Sequence, residues 1–158
     1  MNVNWYGTLY KVKAFLPHLL TRPVAHIVNI SSMGSFVPVP GQTIYGASKA
    51  AVKLLTEGLH SELAGTNVKA TVVFPGAIKT NISKNSGLNN PTQASSDNKA
   101  AKVLEPAVAA KIIIKEMEKD SYRVLVGKDA AIMDFFYRLN PKSAAGLIAK
   151  KMKQLLAK

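Results

Sequence analysis

Apolar residues recur along this chain in two periods, and the period changes several times from one end to the other. In residues 4–20, Leu9, Val12, Phe15, Leu16 and Leu19 fall at helical spacing and predict an amphipathic helix. After the breaker Pro23, HIVNIS (26–31) is a short β-rich run and reads as a strand. Residues 32–43 hold Pro38, Pro40, Gly34 and Gly41 and are expected to be loop. Residues 44–64, rich in alanine and leucine, read as a long helix, and VKATVVF (68–74) reads as a second strand stopped by Pro75 and Gly76. Residues 77–102 are polar and predict a mobile loop or an active-site lid. A helix over 107–119 follows Pro106, YRVLVG (122–127) is a third strand, and helices over 130–138 and 141–156 close the series.

Helix and strand alternate, and the strands are continuous apolar runs. That pattern predicts an α/β fold with a doubly wound parallel sheet covered by helices on both faces. Three strands make only part of such a Rossmann-like sheet. The phosphate-cradling glycines of a nucleotide fold lie in its first half, and no G-x-G-x-x-G or P-loop occurs here. The expectation is therefore a C-terminal half-domain over 1–140, a fragment of a longer reading frame lacking on the order of 100 residues. Residues 141–158 form a separate basic amphipathic helix.

Composition narrows the class. The chain has 158 residues, 47% of them hydrophobic, enough for one modest core. With no cysteine it has neither disulfides nor thiolate metal sites, and His18, His26 and His60 lack metal-ligand spacing. No basic-then-apolar leader and no apolar run of ~18 residues occurs, so the reading is a cytoplasmic protein, with the sequons at Asn29 and Asn81 as chance matches. The net charge is +12, but the basic residues are scattered and lack interleaved aromatics, so nucleic acid is not the expected partner. Only 141–158 concentrates charge, with five lysines and no acid. There Ala144, Leu147, Ile148, Met152, Leu155 and Leu156 share a face that either docks on protein, the favoured reading, or lies on an anionic membrane.

Chemistry gathers at the seam between loop and helix. Tyr45 and Lys49 are four apart at a helix start, and Ser32 lies thirteen residues before the tyrosine. A phenol titrates near 10 and is a poor acid at neutral pH. A cation ~4 Å away at an effective dielectric near 20 is worth roughly 4 kcal/mol and brings the phenol toward the range where acid-base catalysis works best. Ser32 ends a strand, at the sheet edge where open α/β folds hold ligands.

These residues stand in longer motifs: VNWYG (3–7), NISS (29–32), YGASKAAV (45–52) and VVFPGAIKTN (72–81). Their order and spacing resemble the short-chain dehydrogenase/reductase family. The resemblance implies hydride transfer between NAD(P)(H), with NAD and NADP left open, and a carbonyl or secondary alcohol. It implies Tyr45 as proton donor, Ser32 as holder of the substrate oxygen, Lys49 as ribose ligand and tuner of the tyrosine, and Asn4 as the end of a water-linked relay to Lys49. Pro75, Gly76, Ile78 and Thr80 match the segment that contacts the nicotinamide, while Met33, Val37, Val39 and Gln42 are expected to line the substrate pocket beside Tyr45. The family's usual pairing of subunits implies a homo-oligomer through helices 4–20 and 44–64.

Two rivals are weighed against this. GASKA (46–50) falls one residue short of a serine-hydrolase elbow, but Pro38, Pro40 and Gly41 occupy the place of the required strand and no histidine follows His60. SDNK (96–99) satisfies two penicillin-binding motifs at once and so cannot supply both sites. The second rival is a non-catalytic interaction module built on the apolar face of Ala50, Ala51, Leu54, Leu55, Leu59 and Leu63.

Overall fold

The structure is a computed structural model that describes residues 1–80 and 103–156, with side chains to Met152. Strands β1 (Ala25–Ile30), β2 (Val68–Pro75) and β3 (Arg123–Val126) form one parallel sheet in the order β1-β2-β3. Ala25 pairs with Val68 and Ile30 with Val73, while Val72 pairs with Arg123 and Pro75 with Val126. The strands therefore end side by side. The carbonyl ends of β1 and β2 form one edge, from which both candidate motifs emerge.

Helices α1 (Gly7–Leu20), α2 (Thr43–Glu62), α3 (Pro106–Met117), α4 (Lys128–Leu139) and α5 (Pro141–Leu156) surround the sheet. Alternate strand residues face opposite sides. Ala25, Ile27, Val68 and Ala70 pack with Val12, Leu59 and Leu63 beneath α1 and α2. On the other side, Val73, Val124 and Val126 pack with Ala109, Ile112 and Ile113 of α3. This double covering is why the strands read as continuous apolar runs rather than alternating ones. A part-buried charge cluster ties α2, β3 and α4 together: Arg123 lies 3.1 Å from Asp134 and 3.7 Å from Glu57, with its guanidinium over the ring of Phe74.

Element starts follow local chemistry. Pro106 opens α3 after an extended Glu105, since a missing N–H costs nothing there. Asn140 caps α5 by accepting from the Ser143 amide at 2.9 Å, with Pro141 as the first helical residue.

The structure departs from the sequence pattern at several joints. The first helix is entered through a π-helical turn, Asn2–Tyr6, and the segment expected as plain loop contains a 3-10 turn, Met33–Ser35. Strand β3 is shorter than predicted because Gly127 takes φ +106°, a left-handed conformation that ends the ladder and starts α4. Residues 81–102, most of the expected lid, lie outside the described residues. The apolar face of α2 is divided: Leu59 and Leu63 are core, whereas Leu54 is 69% exposed. Helix α5 packs against α4 with Ala144 buried, so its described part docks on its own chain; the side chains of Leu155 and Leu156 lie outside the described residues.

Candidate active site

The two serines of NISS separate at the end of β1. Ser31 turns inward: its amide donates to Val73 O at 2.8 Å and its hydroxyl to Lys49 O at 2.9 Å. It is 2% exposed and fastens the first turns of α2 to the sheet. Ser32 adopts extended backbone and caps the Met33–Ser35 turn, its Oγ accepting from the Gly34 amide at 3.1 Å. A hydroxyl that accepts in this way keeps its own proton to give to a ligand.

The turn carries Gly34 under the tyrosine. A Cβ placed on Gly34 would lie 3.6 Å from Ser32 Oγ and 3.6 Å from Tyr45 Cε1, so the two side chains converge over a residue that has none. On the helix side, a Cβ on Gly46 would lie 2.7 Å from Gly34 O. The start of α2 can approach the turn only because position 46 is glycine. Tyr45 remains 40% exposed above this contact, open to a ligand.

Lys49, one helical turn further, holds its Nζ 6.0 Å from the centre of the Tyr45 ring. The ammonium donates to Ile30 O at 3.0 Å. Burial pushes this lysine below its ordinary range, because a half-buried ammonium loses hydration. Asn4 reaches the site from the π-helical turn, but its direct partner is Ser48 rather than Lys49. Asn4 Nδ2 donates to Ser48 Oγ at 3.1 Å, and Ser48 Oγ donates to Tyr45 O at 2.7 Å.

The segment after β2 lies at the same sheet edge. Pro75 ends the strand and Gly76 N–H donates to Val126 O at 2.8 Å. Ile78 pairs with Leu104 in an isolated bridge and packs its side chain into the Val73–Val126 cluster. Thr80 is exposed at the end of this described stretch.

A cavity of about 250 Å³ opens beside the tyrosine's helix, lined by Val37, Val39, Gln42, Gly46, Ala50 and Tyr137, among others. Neither Tyr45 nor Ser32 lines it, and Met33, expected there, does not either. The cavity sits behind the first turn of α2 rather than over Ser32 and the Tyr45 ring, and Val37 is a fully buried core residue. Of the expected pocket, Gln42 and Val39 belong to this cavity while Met33 belongs to the turn beside Ser32.

Sequence reasoning singled out neither Ser31, Gly46 nor Ser48. The first serine of NISS, and the glycine and serine inside YGASK, were the only signals.

A family model described as short chain dehydrogenase matches residues 1–91. A Mycobacterium tuberculosis protein that bears the oxidoreductase name SadH is 37% identical over 155 residues, covering 94% of this chain and 56% of its own length. An uncharacterized Staphylococcus aureus oxidoreductase is 40% identical over 114 residues, covering 72% of this chain and 45% of its own length. The chain thus spans about half the length of the curated relatives it matches. Among solved structures, a short chain dehydrogenase from Burkholderia cenocepacia in complex with NADP superposes with a TM-score of 0.76 at 26% identity, over 92% of this chain and 56% of that one. A short chain dehydrogenase/reductase from Burkholderia phymatum in complex with NAD gives 0.66 at 26%, over 78% and 50%. Motif order, parallel sheet and family match agree, and the chain belongs to the short-chain dehydrogenase/reductase family.

Proposed function

We propose that this chain carries the catalytic centre of an oxidoreductase that moves hydride between NAD or NADP and a carbonyl or secondary alcohol. The observation that supports it most is the convergence of Ser32 Oγ and the Tyr45 ring over Gly34, with Lys49 one turn along the same helix. Two relatives of known structure hold NADP and NAD respectively, and the reading covers both nucleotides.

The residues present fit the nicotinamide end of such a cofactor. Lys49 offers a half-buried ammonium with protons to spare beyond its bond to Ile30 O, and Pro75, Gly76, Thr80 and the backbone of Ile78 form the adjacent sheet edge. No Gly-rich phosphate turn lies in these 158 residues. When bound, the nicotinamide supplies or accepts the hydride. In reduction, the Ser32 hydroxyl donates a hydrogen bond to the carbonyl oxygen and Tyr45 gives that oxygen its proton; in oxidation, the phenolate takes the proton back. Lys49 stabilises the phenolate through its charge. Asn4, whose side chain is held by Ser48, is read as the end of a water-linked relay with Lys49.

The half-domain over 1–140 with 141–158 as an added helix, the place of this chain within a longer protein, and a cytoplasmic location form part of the same reading. So does self-association. Val3, Tyr10, Phe15, Ile44 and Leu54 are exposed large apolar residues on α1, α2 and the turn before α1, which supports pairing with a second copy.

Carbonyl reduction in the full-length protein tests the assignment. Tyr45→Phe keeps the ring and removes the proton, and should lower turnover by roughly 100- to 10,000-fold. Lys49→Met removes the ammonium and should weaken cofactor binding, read as a raised dissociation constant for the nucleotide. Wild-type turnover in Tyr45→Phe would refute the site.

A further inference from the structure

Beyond Pro75 the backbone is held by successive contacts to three different segments. Gly76 N–H donates to Val126 O at 2.8 Å, extending the ladder between β2 and β3 by one step. Ala77 N–H donates to Asp129 Oδ2 at 2.6 Å. Leu104 then closes the series, its amide donating to Ala77 O and its carbonyl accepting from Lys79 N–H, both at 3.0 Å. The Asp129 contact alone comes from a side chain, and it is short, as hydrogen bonds to a carboxylate are.

Room has been made for that carboxylate from two elements. A Cβ on Gly127 would lie 2.5 Å from Asp129 Oδ1, and a Cβ on Gly76 would overlap both carboxylate oxygens and Cγ. Gly127 also holds φ +106°, which turns the chain from β3 into α4 so that Asp129 falls in the first helical turn. There the helix dipole favours a negative charge. An aspartate that served only its own helix would require none of these arrangements with a strand end 52 positions earlier.

We propose that Asp129 is a positioning residue of the active site. It locks the Pro75–Ala77 turn at the carbonyl edge of the sheet and so sets the backbone against which a nicotinamide would rest. The proposal rests on the reading of Pro75, Gly76, Ile78 and Thr80 as the cofactor-contacting segment.

Amide hydrogen exchange followed by NMR on the 158-residue protein tests the lock without any cofactor. In Asp129→Ala, exchange at Ala77 should rise about tenfold or more while Val73, inside β2, stays as protected as before. Asp129→Asn, which keeps one acceptor oxygen, should restore part of the protection. Gly76→Ala leaves the aspartate in place but drives its carboxylate off the turn, and should loosen Ala77 as Asp129→Ala does; it decides the matter if Asp129→Ala does not fold. Unchanged Ala77 exchange in a folded variant overturns the proposal. In the second arm, NADP+ or NAD+ is titrated into the full-length protein while the amide shifts of residues 76–80 are followed, a readout sensitive to weak binding. Shifts centred on this segment in the wild type that weaken at least several-fold in Asp129→Ala support the positioning role. A loosened Ala77 with unchanged nucleotide shifts overturns that role and leaves a structural clamp. Absence of nucleotide shifts in the wild type removes the cofactor reading of the segment, with Ala77 exchange still deciding the clamp.

Discussion

Lys49 shows how one side chain answers to two neighbours. Its Nζ caps the last carbonyl of β1 and lies one turn from Tyr45, so the cation that would stabilise a phenolate is itself held by the strand that presents Ser32. A second residue with divided partners sits at the opposite end of the sheet. His26 Nε2 is 2.8 Å from Thr71 Oγ1, and Thr71 Oγ1 donates to Ser121 O at 2.7 Å, so the imidazole must be the donor to Thr71. Its Nδ1 faces Asp120 at 3.6 Å. Burial holds the imidazole below its ordinary 6.5, outweighing the Asp120 carboxylate that acts the other way, and Lys69 adds to the lowering. The unfolded chain then takes up the proton more readily than the folded one. Stability should therefore be fully present above pH 6.5 and fall as the pH drops from 6.5 through the lower folded value. Urea midpoints at about pH 7.5 and 5.5 measure this, and His26→Gln, which keeps a donor for Thr71, should flatten the difference. An equal pH slope in both proteins would remove His26 as its source.

At the scale of elements, the approach of α2 to the Met33–Ser35 turn decides whether there is a site at all. It is a backbone-to-backbone contact at Gly46 and Gly34, with Ser31 bonded to Lys49 O from below and Asn4 to Ser48 from the side. Gly46→Ala would force a Cβ against a carbonyl that cannot swing away, and overpacking of this kind costs roughly 1–3 kcal/mol. Gly58 lies in the same helix with open space around it, so Gly58→Ala should stabilise by about 0.5–1 kcal/mol through helix propensity alone. Chemical denaturation of the two variants separates a glycine needed for close approach from one merely tolerated. Effects of the same sign and size would refute the close-packing account of the YGASK glycine.

Across the whole molecule, the outward apolar residues are unevenly placed. Leu54 stands exposed beside a groove of about 410 Å³ lined by Trp5, Ala51, Leu55, Gly58, Leu59 and Glu62. If a second copy covers this face, Leu54→Asp should shift the mass seen in sedimentation equilibrium toward the monomer, while the corresponding change at Leu147 on α5, also exposed, should leave it unaltered. A wild type that remains monomeric at high concentration would rule out pairing through this face. Among the described residues no helix is long and apolar enough to cross a membrane.

The sequence by itself determined the order of the main helices and strands, the parallel sheet with helices on both faces, and the nearness of Ser32 and Lys49 to Tyr45. Periodicity and turn chemistry act over a few residues, so strands buried on both faces and a helix beginning at Thr43 leave local marks that survive in the text of the chain. Tertiary structure alone decided which serine of NISS turns inward, that Asn4 meets Ser48, that Ile78 spends its side chain in the core, and that Met33 stays out of the cavity that Gln42 lines. It also decided that a carboxylate in α4 holds the turn after β2. Each of these depends on how closely two distant backbones approach. That distance is set by glycines and packing across 18 to 52 positions, where no local period carries information.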